Sequence, residues 1–197
     1  LFTAAGPALI ERLMQRGFEI FLDLKFHDIP NTVGGACKAA AQLGVWMLSA
    51  HALGGSTMLA AAREALGGVM PRPLLIAVTV PTSMGRGELG ELGIGGEIDV
   101  AVLRLARLAH QSGTDGVVCS GHEAPQLKKQ FGREFCLVTP GIRPAQTGHD
   151  DQLRVVTPRQ AVLNGADYLV IGRPVTQAAD PLRVLQDINR EMTGNQA

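Results

Sequence analysis

The stretch FEIFLDLKFHDIPNT, residues 18–32, decides how the rest of the chain reads. Residues 18–25 form an apolar run of strand character. In a strand, successive side chains point to opposite faces. Phe18, Ile20, Leu22 and Leu24 then share one face, all apolar and suited to packing under helices. Glu19, Phe21, Asp23 and Lys25 share the other. Asp23 and Lys25 fall side by side at the carboxyl end of the strand. A buried charge is strongly disfavoured unless paired, so the two are expected to pair. A stabilising ion pair and a catalytic pair both remain open at this point. Asp28 adds a second carboxylate just past the strand. Asn31 and Thr32 are suitable cap types for a helix beginning near Thr32.

Outward from this strand, short apolar runs alternate with amphipathic stretches. Strands are expected at 18–25, 45–50, 74–80, 116–120, 135–139 and 168–171. Helices are expected at 7–16, 32–43, 56–66, 97–111, 123–131, 157–164 and 181–192. Gly17 and Gly44 act as helix stops, and Pro158 suits a first turn. A glycine-rich loop is expected over 85–96. Strands alternating with helices imply an α/β fold with a parallel sheet. A doubly wound open sheet and a (β/α)8 TIM barrel both fit. A barrel takes about 250 residues, or roughly 31 per unit. The first strand, helix and strand would add ~47 residues to this chain, giving a typical barrel length. The chain opens on Leu1 rather than methionine, so a native start upstream is expected. The preferred reading is one barrel domain, residues 1–197, lacking its first strand–helix–strand.

Charge and cysteine usage narrow the function classes. Lys plus Arg equals Asp plus Glu at 18 each, which argues against broad nucleic-acid or anionic-membrane binding. A small basic pocket stays compatible with that balance. No signal peptide or membrane span is visible, since the longest stretch without charged residues (39–62) is broken by polar and glycine positions. Cys37, Cys119 and Cys136 have no zinc-ligand spacing and read as buried reduced thiols of a cytoplasmic protein. No metal site is expected; Asp150 and Asp151 read as a solvated loop. His27 is read as turned away from Asp28, His51 as a strand-end residue lining the pocket without assigned chemistry, and Trp46 as packing between sheet and helix.

Two loops carry anion-binding chemistry. Gly141-Ile142-Arg143 follows the next-to-last strand. Gly172-Arg173 follows the last strand and opens toward a helical segment. Barrel enzymes often bind phosphate at these two loops. Glycine exposes backbone N–H groups and arginine offers a bidentate fork.

The segment DLKFHDIPNT (23–32) resembles the signature of orotidine 5′-phosphate decarboxylases, Asp-x-Lys-x-x-Asp-Ile-Pro-x-Thr. The segments IAVTVPTS (76–83), DGVVCS (115–120), VTPGIRP (138–144) and YLVIGRPVT (168–176) are similar too. The resemblance spans essentially the whole chain and is strongest to bacterial members. It implies a cofactor-free enzyme of pyrimidine synthesis that converts orotidine 5′-phosphate to uridine 5′-phosphate. By that resemblance Lys25 protonates carbon 6 of the pyrimidine as carbon dioxide leaves, and Asp23 lies against the substrate carboxylate. Asp28 acts in the partner's active site of a homodimer, with Ile29 and Thr32 beside it. Thr82 and Pro140 lie near the pyrimidine; Arg143, Gln152, Gly172 and Arg173 lie at the phosphate. The physics is coherent, because the transition state builds charge on the ring carbon, where a fixed ammonium favours it over the substrate. The family also uses an Asp on the first strand and a Lys on the second, both expected upstream of Leu1. The loops 83–96 and 143–153 are expected to close over substrate. A bare DxKxxD also occurs in magnesium-dependent sugar-phosphate lyases of the same superfamily, and a non-catalytic nucleotide-binding paralogue is a further alternative. The Ile29-Pro30-Asn31-Thr32 run favours the decarboxylase.

Overall fold

The alternation of apolar runs and amphipathic stretches produces, among the described residues, six strands that pair in chain order. A computed structural model describes residues 1–144 and 153–194. The strands are β1 (Phe21–Phe26), β2 (Met47–His51), β3 (Leu74–Val78), β4 (Gly116–Val118), β5 (Cys136–Thr139) and β6 (Tyr168–Leu169). The hydrogen-bonded order is β1-β2-β3-β4-β5-β6, and the registered pairs β1/β2, β2/β3 and β5/β6 are parallel. The fold is therefore α/β with a parallel sheet, as the sequence implies. The helices among the described residues are α1 (Phe2–Ala5), α2 (Pro7–Met14), α3 (Pro30–Gln42), α4 (Gly55–Ala65), α5 (Arg86–Glu91), α6 (Ile98–Gln111), α7 (Ala124–Phe131), α8 (Pro158–Leu163), α9 (Arg173–Thr176) and α10 (Pro181–Thr193).

The chain forms two compact units, Leu1–Thr79 with Leu105–Val117, and Val80–Arg104 with Val118–Ala197. In the first, α3 follows β1 and is closed off just past its cap by Gly44, whose φ of 78° is a conformation that side-chain-bearing residues rarely adopt. The chain then enters β2, whose Met47, Leu48 and Ala50 are at most 1% exposed. The methionine and the leucine each contribute roughly 1.5–3 kcal/mol relative to exposure. An ion pair also ties this unit together. Arg72 donates to both carboxylate oxygens of Asp115 at 2.7 and 2.6 Å, and Asp115 also accepts the Leu75 N–H at 2.8 Å. In the second unit, Ile142, Val156, Ala161 and Ala166 form a small core, with Leu169 and Ile171 packed on it.

Several local expectations shift. Helix α3 starts at Pro30 rather than near Thr32. Ile29 is its cap residue and Pro30 takes the first helical position, where its missing N–H is no loss. Asn31 and Thr32 therefore lie inside the first turn and do not cap it. The glycine-rich 85–96 segment contains α5, because Glu88 caps the Gly85 N–H at 2.8 Å and Leu89 is buried at 1% exposure. Strand β1 begins at Phe21, so Phe18 lies outside it and is 59% exposed rather than packed under a helix.

Candidate active site

The end of β1 departs from regular alternation. β1 runs from Leu22 to Phe26 while its partner β2 advances only from Leu48 to Ala50, an irregularity of the bulge kind. Lys25 sits inside it at φ 54°, the sole positive-φ residue other than glycine among the described residues. A left-handed lysine is disfavoured by roughly 1–2 kcal/mol and needs surrounding structure to hold it. The Lys25 N–H donates to Ser49 Oγ at 3.0 Å. Ser49 Oγ in turn donates to Asp23 Oδ1 at 2.8 Å. Asp23 Oδ2 accepts from Lys25 Nζ at 2.5 Å. The three residues close a ring of hydrogen bonds.

The ring separates a fixed base from an accessible tip. Ser49 is fully buried, whereas the Asp23 and Lys25 side chains are 35% and 48% exposed. The expected Asp23–Lys25 pair is therefore formed, with its working atoms reachable. Ser49 was not anticipated from the sequence. Its available signal is a lone hydroxyl in the apolar run 45–50, placed on the strand that neighbours β1.

Two histidines lie beside this ring. His27 stacks on His51, with ring centroids 5.4 Å apart. His51 Nδ1 accepts the Leu53 N–H at 3.4 Å and so is the unprotonated nitrogen. Burial, then the neighbouring His27 and Lys25, push the His51 pKa below its usual value.

The Asp28, Ile29 and Thr32 group lies on the turn between β1 and α3. Asp28 Oδ1 accepts the Ile29 N–H at 2.6 Å. All three residues are exposed, Ile29 at 66%.

In the second unit, Thr82 is buried at 5% exposure just beyond β3. Pro140 and Arg143 follow β5. An isolated parallel bridge joins Ile142 to Val156, and the Arg143 N–H donates to Val156 O at 2.9 Å. This bridge fixes the foot of the segment that carries Arg143. Gly172 caps α9, and Arg173 opens it, so both follow β6 as the sequence suggests. Gln152 lies outside the described residues, as do Asp150 and Asp151.

This unit also holds a buried ion pair that sequence reading missed. Glu123 and Arg154 have side chains only 2% and 13% exposed and are hydrogen-bonded to one another. Glu123 Oε2 also accepts the Ser120 N–H at 2.7 Å. Burial raises the Glu123 pKa above the usual carboxylate value, although Arg154 opposes that shift. The partners are 31 residues apart, so no local pattern reveals them.

Cys37, Cys119 and Cys136 are buried and form no disulfide, and burial pushes the Cys37 thiol up to about 11 and Cys119 upward as well. Among the described residues, no group of three or more His, Cys, Asp or Glu could hold a metal ion. None of the described helices is long and apolar enough to cross a membrane.

The family model described as "Orotidine 5′-phosphate decarboxylase / HUMPS family" matches residues 1–188. This chain belongs to that family. Among curated members, the orotidine 5′-phosphate decarboxylase of Nitrosomonas eutropha is 58% identical over 192 residues, covering 98% of this chain and 82% of the relative. That of Saccharophagus degradans is 59% identical, covering 98% and 81%. The crystal structure of orotidine 5′-phosphate decarboxylase from Lactobacillus acidophilus superposes with a TM-score of 0.82 at 41% identity, covering 95% of this chain and 81% of that one. Membership of the decarboxylase family agrees with the resemblance carried by residues 23–32.

Proposed function

We propose that this chain decarboxylates orotidine 5′-phosphate to uridine 5′-phosphate, the last step of de novo uridine 5′-phosphate synthesis, with Lys25 as the acid. The hydrogen-bonded ring of Asp23, Lys25 and Ser49 carries the reading. It holds an ammonium by its backbone and its tip at the carboxyl end of a parallel strand, where active sites of α/β proteins lie. As the carbon–carbon bond breaks, the electron pair stays on carbon 6 and carbon dioxide departs. The Lys25 ammonium gives that carbon its proton. Asp23 lies against the substrate carboxylate, a repulsion relieved as that charge leaves the ring. The same carboxylate orients the Lys25 tip. The proposed reaction uses no metal or organic cofactor.

The remaining assignments follow the same reading. Thr82 and Pro140 contact the pyrimidine, and Arg143, Gln152, Gly172 and Arg173 bind the phosphate. Asp28, Ile29 and Thr32 act in the partner's site of a homodimer; their exposure leaves them accessible for that role. The (β/α)8 barrel is the fold proposed for the family domain to which these strands belong.

A magnesium-dependent sugar-phosphate lyase would share Asp23, Lys25 and Asp28. The names of the relatives and the Ile29-Pro30-Asn31-Thr32 run favour the decarboxylase. Incubation of the full-length protein with orotidine 5′-phosphate, with and without a chelator, tests this. Equal release of uridine 5′-phosphate and carbon dioxide in both is expected. Turnover confined to a sugar phosphate and lost with chelator would replace the reading by the lyase.

A further inference from the structure

The buried pair Glu123–Arg154 reaches the backbone next to Thr82. Arg154 spreads its guanidinium over three acceptors. One terminal nitrogen meets Glu123, and the other donates to Val80 O at 3.0 Å and Pro81 O at 2.8 Å. The neighbouring Leu153 N–H donates to Thr82 O at 3.3 Å. Glu123 is itself tied to the Ser120 N–H beyond β4. Three consecutive carbonyls, those of residues 80, 81 and 82, are thus held from the 153–154 segment. Val80 and Thr82 are 4% and 5% exposed, so water does not replace these bonds cheaply.

We propose that Arg154 is a positioning residue for the reaction, fixing the 80–82 backbone so that Thr82 is set for the pyrimidine ring. The inference rests on the proposed decarboxylation and on Thr82 contacting the ring. A planar guanidinium suits the task because its fixed fork serves a carboxylate and two carbonyls at once. A lysine ammonium would keep the charge pair with Glu123 but is a point charge, and it would not reproduce the fork. Small displacements of a substrate-contacting group have large kinetic effects, so the pair's contribution is expected in catalysis as well as in folding. A purely structural ion pair would affect stability alone.

The test is a double-mutant cycle between Arg154→Lys and Thr82→Ala in the full-length protein, read as kcat/KM for orotidine 5′-phosphate alongside thermal melts. R154K is expected to fold and to lose about tenfold or more in kcat/KM. T82A is expected to cost clearly less in the R154K background than in wild type, because the coupled residues are then already misplaced. Should R154K fail to fold, Glu123→Met with Arg154→Met removes both charges together and enters the same cycle. Kinetics of R154K within twofold of wild type, or additive losses in the cycle, would overturn the proposal. A wild-type protein with no turnover would instead defeat the proposed function itself, so the two failures are distinct.

Discussion

Ser49 Oγ donates to Asp23 at 2.8 Å while accepting the Lys25 N–H at 3.0 Å, so one buried hydroxyl ties both members of the proposed catalytic pair. Replacing it with alanine leaves a backbone donor and a carboxylate oxygen without that partner. Ser49→Ala is expected to destabilise the fold by about 1–3 kcal/mol. Turnover should fall with it, because the left-handed Lys25 backbone loses its support. Denaturant melts and steady-state kinetics on the same preparation check this. Unchanged values in both would remove Ser49 from the account.

The Lys25 backbone makes a separate prediction about stability. At φ 54° an alanine remains strained and a glycine does not. Lys25→Gly is expected to be about 1 kcal/mol more stable than Lys25→Ala. Both should be inactive. Equal denaturation midpoints for the two variants would mean that residue 25 is not left-handed in solution.

Much of this region was legible in the sequence, for identifiable reasons. The period-two pattern of residues 18–25 places Asp23 and Lys25 on one side, and they do pair. Gly44 stops α3 because its conformation excludes a side chain. Ser49 was not legible, because its partners lie on another strand and register is set by tertiary pairing. The start of α3 was misplaced because cap chemistry was sought at Asn31 and Thr32 while Pro30 had already set the first helical dihedral. Helix α5 escaped notice because Gly87 and Gly90 have poor helix propensity, and the burial of Leu89 outweighs it. The Glu123–Arg154 pair joins residues 31 positions apart, a separation at which charges carry no pattern.

Arg173 opens α9 directly after β6, where the proposed reading puts the substrate phosphate. Arg173→Ala is expected to lower kcat/KM for orotidine 5′-phosphate by about a hundredfold, a typical loss for a desolvated charge-assisted contact. Decarboxylation of orotidine, which lacks the phosphate, should be nearly unchanged. An equal loss on both substrates would show that Arg173 does not act through the phosphate.

The Arg72–Asp115 pair predicts an acid-sensitive share of stability. Burial alone would raise the Asp115 pKa, but hydrogen bonds from Arg72 and the Leu75 N–H outweigh it and hold it below 3.8. The folded state therefore favours the ionised carboxylate. Its contribution is full well above pH 3.8 and is lost as pH falls through the lower folded value. Asp115→Asn should cost about 2 kcal/mol at neutral pH. The gap from wild type should narrow progressively in acid. Urea melts at a series of pH values measure this, and a gap that widened toward acid would have the wrong sign for the account.

The most direct measurement is carbon dioxide release from orotidine 5′-phosphate by the full-length protein and its Lys25→Ala variant, with the variant's folding verified by circular dichroism. Robust wild-type turnover, and a loss of about 10⁴-fold or more in a folded variant, is the predicted result for a residue that is both proton donor and charge stabiliser. Near-normal turnover in folded Lys25→Ala would contradict the central assignment.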